Sequence, residues 1–69
     1  MTQELIFVIE EAPEGGFVAK ALGHSIYTEA DTWEELKAAV QDAVTCHFDE
    51  EMRPGMVRLH VVRDEMMLV

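Results

Sequence analysis

Short hydrophobic runs, separated by turn-forming residues, divide the chain into strands and one helix. Residues 5–9 are β-branched and aromatic without a polar interruption, which predicts a central strand covered on both faces. A proline and paired glycines within residues 11–16 predict a turn. Residues 17–22 and 25–30 then predict two more strands, and the short connections make the three strands an antiparallel meander.

The helix has a clear start and a continuous apolar stripe. Thr32, followed three positions later by Glu35, has the form of a capping box. Apolar residues then recur at helical spacing and end in a histidine: Leu36, Val40, Ala43, Val44 and His47. An Arg-Pro-Gly sequence ends the segment. Residues 56–62 alternate as a last strand, which residues 66–69 are expected to extend or to follow as a short return strand.

This order, β-β-β-α-β, predicts one α+β domain over residues 1–69. A right-handed helical crossover would lay the last strand parallel to the first. The expected sheet is four-stranded and mixed, ordered 3-2-1-4, with one helix on one face. The other face must be covered by another chain or remain an apolar patch. Since 69 residues without an internal disulfide bury a small core, we expect a homo-oligomer.

Charge narrows the classes of partner. Fourteen acidic residues against five basic ones give a net charge of −9, which disfavours direct binding to nucleic acid or to an anionic membrane. Residues 1–51 hold twelve of the acids and two bases, a net charge of −10 that suits a basic partner. Neither a membrane span nor a signal peptide is apparent, so a cytoplasmic location is expected.

Residue types used in catalysis are present but do not form motifs. His24, His47 and His60 fall on different predicted elements, and none has the short-range partner of a zinc site. Cys46 is expected to be a buried or half-buried structural cysteine. The carboxylates fall mostly in loops and on the polar face of the helix. We therefore predict no catalytic residue, no cofactor and no metal site, and do not expect an enzyme.

The order and spacing of several short motifs resemble the HicB-like antitoxin family. The first strand ends at Glu10, the glycine pair of residues 15–16 precedes Phe17, and Gly23 precedes the third strand. The helix opens with Asp-Thr-Trp-Glu-Glu-Leu at residues 31–36. The resemblance covers residues 5–48 and implies a fold similar to a partial ribonuclease H domain.

The resemblance also implies a function. Members of that family pair with a small basic toxin, a HicA-like ribonuclease that cuts messenger RNA, and block its active site. The expected contacts are acidic residues and the start of the helix: Glu10, Glu11, Glu14, Trp33 and Glu34. Many members also carry a C-terminal DNA-binding segment; this chain stops at the last strand, so operator binding is not expected.

Two further hypotheses accompany this one. A stand-alone homo-oligomer, with a scaffold or ligand-binding role and no toxin, is the alternative. A nuclease is not expected, because ribonuclease H chemistry needs carboxylates within the first and last strands to hold two metal ions. Residues 5–9 and 56–62 contain none.

Overall fold

Residues 4–69, the part of the chain that the structure describes, form four strands and one helix. In this computed structural model the elements are β1 (Glu4–Glu11), β2 (Phe17–Ala21), β3 (Tyr27–Ala30), α1 (Trp33–His47) and β4 (Met56–Val62). The sheet order is β3-β2-β1-β4, with β4 parallel to β1 and the other neighbours antiparallel. The predicted α+β class, element order and mixed sheet with one helix are confirmed.

Glycine shapes the turn between β1 and β2. Gly15 and Gly16 have φ values of +102° and +84°, a region that residues with a Cβ rarely adopt. A Cβ on Gly16 would also lie 2.7 Å from the carbonyl oxygen of Ala30. The turn is closed by backbone hydrogen bonds of 3.0 Å between Ala12 and residues 15 and 16. Only glycine therefore lets this turn approach the end of β3.

The helix begins as its sequence predicts. Thr32 is the N-cap, and its Oγ1 accepts a 3.1 Å hydrogen bond from the backbone N–H of Glu35. Glu34 and Glu35 lie in the first turn, where the positive end of the helix dipole stabilises carboxylates. His47 is the last helical residue, and Phe48 is the C-cap. The backbone of Phe48 is extended, and its N–H donates a hydrogen bond to the carbonyl oxygen of Val44.

The core lies between α1 and one face of the sheet. Alternate residues of β1 point into it, and Phe7 and Ile9 are fully buried. The buried apolar residues are Leu5, Phe7, Ile9, Ala19, Ile26, Leu36, Val40 and Val44. Ile6 and Val8, which point to the opposite face, are only partly buried. The expectation that β1 is covered on both faces is therefore wrong for a single chain, and we call this uncovered side the open face.

Strand β4 is the least covered part of the sheet. The backbone of α1 packs near β3 and β2 but not near β4. Val57 and Val61 share the helix-side face with Leu5 and Ile9 through the parallel register, yet they are 39% and 46% exposed. One edge of the helix-side face is therefore left partly open to solvent.

The chain leaves the sheet after Val62. Residues 63–69 form neither an extension of β4 nor a return strand, which corrects the expectation for residues 66–69. The physical reason is the length of β1: Val62 pairs with Glu10, and β1 ends one residue later. Only Glu11 of β1 remains beyond the partner of Val62, so residues 66–69 have no part of β1 to pair with.

Candidate functional site

An acidic cleft lies where the β1–β2 turn, the end of β3 and the start of α1 meet. Its volume is about 690 Å³. Four of its lining residues are carboxylates and none is lysine or arginine: Glu14, Glu29, Asp31 and Glu35. Like charges on neighbouring lining residues reinforce one another's negative potential, although the Glu29 carboxylate itself lies toward the other face of β3, beside Tyr27. We call these four residues and the space between them the acidic cleft.

The fold brings these carboxylates together from three segments. Glu14 is in the turn that Gly16 holds against Ala30. Glu29 is in β3, and Asp31 directly precedes the helix cap. Glu35 lies one helical turn further on. Sequence spacing alone does not reveal this cluster, because Glu14 reaches it only through the pairing of β2 with β3.

Two aromatic rings form one wall beside the cleft. Phe17 lines it, and the Trp33 ring packs edge-on against Phe17, with ring centroids 5.6 Å apart and an interplanar angle of 74°. Both side chains are partly buried. An aromatic surface next to carboxylates can receive the apolar stem and the flat guanidinium of an arginine.

The residues expected from the sequence fall in three places. Glu14 lines the acidic cleft, and Trp33 flanks it through Phe17. Glu34 is absent from the cleft lining; its Oε2 lies 3.4 Å from the Nζ of Lys37, and its side chain is 81% exposed. Glu10 and Glu11 line a smaller neighbouring cleft of about 330 Å³.

The two clefts share one wall. Ala12 and Pro13 of the β1–β2 turn line both. In the smaller cleft, the Glu11 Oε1 lies 3.8 Å from the Nε of Arg63, so part of its negative charge is compensated within the chain. Of the five residues expected from the sequence, only Glu14 lines the acidic cleft, and Glu29, Asp31 and Glu35 join it there.

On the open face, Tyr27 contacts one residue of the cleft lining, Glu29. The Tyr27 hydroxyl donates a 3.2 Å hydrogen bond to Oε2 of Glu29. Partial desolvation raises the pKa of the Tyr27 phenol, and the charge of Glu29 and this hydrogen bond raise it further. Both interactions with Glu29 favour the protonated phenol.

Two histidines that are distant in sequence lie close together at the C-terminal end of α1. The rings of His24 and His47 have centroids 5.9 Å apart, and both pack edge-on against Phe48. His60 lies on β4, opposite Val8. Among residues 4–69, no group of three or more His, Cys, Asp or Glu side chains is arranged to hold a metal ion.

Cys46 is exposed rather than buried. The buried stripe of α1 consists of Leu36, Val40 and Val44. Cys46 lies two residues after Val44, which turns its side chain away from that stripe by about 200° at 3.6 residues per turn. The expectation of a buried or half-buried cysteine is therefore wrong.

Within the described part of the chain, no helix combines the length and apolar character needed to cross a membrane.

The fold and the cleft define a small α+β domain with an acidic recess at one end. The chain belongs to the UPF0150 family. It is 44% identical over 62 residues to a UPF0150 protein of Thermotoga maritima, covering 90% of this chain and 87% of that protein. A UPF0150 protein of Archaeoglobus fulgidus is 56% identical over 52 residues, covering 75% and 77% respectively. No family model matches the chain, and no solved structure matches it.

Proposed function

We propose that this protein is a non-catalytic, HicB-like antitoxin-type binding protein that captures a small basic toxin ribonuclease. The acidic cleft carries the proposal, since it gathers Glu14, Glu29, Asp31 and Glu35 with no cation among its lining residues. Occupation of the cleft by basic side chains of the toxin would cover the toxin's RNA-binding surface. Masking is then both steric and electrostatic, and the complex forms in the cytoplasm.

The chemistry of the cleft suits arginine in particular. A guanidinium donates to a carboxylate at two points and stacks on an aromatic ring. Glu14 and Glu35 supply carboxylates, and the Phe17–Trp33 pair supplies the adjacent ring edges and faces. Lysine would gain the charge interaction without the planar fit. We therefore expect the principal contact of the toxin to be an arginine side chain.

The net charge of −9 supports rapid capture. Opposite charges accelerate the encounter of two proteins, and added salt slows it because the charges are screened. The smaller cleft with Glu10 and Glu11 extends the acidic surface beyond the acidic cleft. A basic partner would therefore contact a continuous strip of this end of the molecule.

A stand-alone homo-oligomer is the second candidate. It is favoured by the open face and by the exposed apolar residues of β4, such as Met56 and Val61. In that case a second copy covers these surfaces, no basic partner is bound, and the role is that of a scaffold or ligand-binding protein.

Co-expression with the product of the adjacent reading frame separates the candidates, because the first candidate requires that product to be a small basic protein. We expect a complex of fixed stoichiometry whose affinity falls as salt rises. The variant Glu14→Gln/Glu35→Gln removes two charges from the cleft and should weaken binding at least about tenfold, since charge-assisted contacts contribute about 1.5–3 kcal/mol each.

The matched control is Glu50→Gln/Glu51→Gln. It changes the net charge equally, in the exposed segment that follows α1. We expect it to alter affinity by less than about threefold, because exposed charges outside the contact act mainly through screened long-range attraction. If both variants weakened binding equally, the cleft would not be the specific contact site, and only the overall negative charge would matter. The lack of any complex would leave the homo-oligomer as the better description.

A further inference from the structure

A second surface, distinct from the acidic cleft, lies between α1 and β4. Because α1 packs over β2 and β3 and not over β4, a groove of about 430 Å³ opens between α1 and β4. Its floor is apolar and consists of Val40, Val44, Val57 and Leu59. Lys37 and Arg53 also line the groove. Lys37 is shared with Glu34, whose Oε2 lies 3.4 Å from its Nζ, so Arg53 supplies most of the positive charge beside this apolar floor.

The last six residues have the opposite character. Residues 64–69 (Asp-Glu-Met-Met-Leu-Val) begin with two acids and continue with four apolar residues. Met66 and Leu68 are 99% and 104% exposed. The described residues extend over 52 × 22 × 19 Å. Four adjacent apolar side chains in water are a surface that an interaction partner would cover.

The groove and this segment lie at opposite ends of the same strand. Pro54 and Val57, near the start of β4, line the groove, whereas Asp64 lies beside Glu10 and Glu11 beyond the end of β4. To fill its own groove, the segment would have to reverse direction directly after Val62. Residues 62–66 contain no glycine, and Asp64 is the one residue among them that tight hairpin turns favour.

We propose that residues 64–69 of a second copy of this chain occupy the groove, and that two copies exchange these segments in a closed dimer. The apolar residues of the segment cover Val57 and Leu59, and its acidic residues approach Lys37 and Arg53. Each copy donates one segment and accepts one, so the contact is self-complementary about a twofold axis. The exchange concerns assembly and is independent of the proposed capture of a toxin.

Light scattering of the full chain, without any partner, tests the assembly. We expect twice the chain mass of 7.8 kDa. Two variants should each raise the dimer dissociation constant at least about tenfold through loss of buried apolar contact. Met66→Ser/Leu68→Ser alters the donated segment, and Val57→Asp alters the groove. Leu22→Asp is the matched control, because Leu22 is also exposed (55%) but lines neither surface.

Mixing the two variants gives the decisive result. The segment variant keeps an intact groove and the groove variant keeps an intact segment, so an equimolar mixture should form a dimer with one exchange. A full chain that stays monomeric, variants that stay dimeric, or a mixture that stays monomeric would each overturn the proposal. Far-UV circular dichroism verifies that each variant is folded.

A charge reversal replaces Val57→Asp if that variant fails to fold. Lys37→Glu/Arg53→Glu should weaken the dimer, and the addition of Asp64→Lys/Glu65→Lys to the same chain should restore it, because the attraction is re-established with reversed sign. Failure of the second pair to restore the dimer would contradict the pairing of the segment with Lys37 and Arg53.

Discussion

Arg58 of β4 is joined to Glu4 of β1 by two hydrogen bonds across the parallel strand pair. Its Nε donates to Oε1 of Glu4, and its Nη2 donates to Oε2 over 3.3 Å. The two residues lie diagonally, since Glu4 is opposite Met56 and Arg58 is opposite Ile6 in the register. The hydrogen bond from Arg58 lowers the pKa of the Glu4 carboxyl.

This pair predicts a stability difference that depends on pH. The folded-state pKa of Glu4 is lower than in the unfolded chain, so its contribution is fully present above the ordinary glutamate pKa of about 4.3. It is lost as the pH falls through the lower, folded-state pKa. We expect Glu4→Gln to unfold more easily than the native chain at pH 7 and to match it more closely at pH 3.

Urea unfolding at both pH values measures this difference. Glu51→Gln is the control, because Glu51 is exposed and lies in a turn after the helix. A native-minus-variant difference that stays constant between pH 7 and pH 3 would contradict the assignment of the shift to Glu4.

Gly16 should tolerate substitution less well than Gly23. Both have positive φ, at +84° and +80°, but a Cβ at Gly23 meets open space whereas one at Gly16 meets the Ala30 carbonyl oxygen. Gly23→Ala should cost about 1–2 kcal/mol for the left-handed conformation alone. Gly16→Ala should cost more, and thermal or urea unfolding of the two variants gives the comparison. Equal costs would mean that the turn moves away from β3 without penalty.

Thr32→Ala should destabilise the protein by about 1 kcal/mol, because the backbone N–H of Glu35 loses its acceptor. Thr32→Ser keeps an oxygen at the same place and should retain most of the stability. Cys46→Ala, at an exposed position within α1, is the control and should be neutral or slightly stabilising, since alanine favours helix. Urea unfolding of the three variants measures their free energies of unfolding. Equal stability of Thr32→Ala and Thr32→Ser would show that the hydroxyl does not act as a cap.

Tyr27 offers a direct optical test of its contact with Glu29. It is the single tyrosine in the chain, so absorbance near 295 nm during alkaline titration reports this phenol. We expect a midpoint above the ordinary tyrosine pKa of about 10. Glu29→Gln should lower the midpoint only part of the way, because desolvation is the larger cause of the raised pKa.

Glu14→Gln is the matched control for this titration, since Glu14 also lines the cleft but is not among the groups that raise the Tyr27 pKa. It should leave the midpoint nearly unchanged. A full return to the ordinary value in Glu29→Gln would show that the carboxylate alone causes the shift.

The elements of the fold were predictable because their signals are local. Alternation in residues 56–62, the uninterrupted run in residues 5–9 and the Thr32–Glu35 cap each lie within a few positions. The sheet order then follows from short connections and one right-handed crossover. The lateral position of the helix has no such local signal: Val57 and Val61 are exposed because α1 packs near β3 and β2 and not near β4, and helical periodicity does not specify that placement.

The site was predicted only in part, for a related reason. Glu14 and Trp33 were found from charge and from the helix start, but Glu29 and Asp31 join them only through strand pairing. His24 and His47 meet because the β2–β3 connection and the helix end lie at the same end of the sheet. Proximity of this kind is a tertiary property and has no short-range sequence pattern.

The parallel pairing of β1 with β4 has a consequence for the synthesis of the protein. β1 leaves the ribosome before the other strands and can pair with β2 early, but its other edge has no partner until residues 56–62 have been made. Until then an apolar strand keeps a free edge, the kind of surface that pairs with other nascent chains. The interval of translation between Glu11 and Met56 is therefore the period in which this chain is most exposed to misassembly, and in which chaperone protection would matter most.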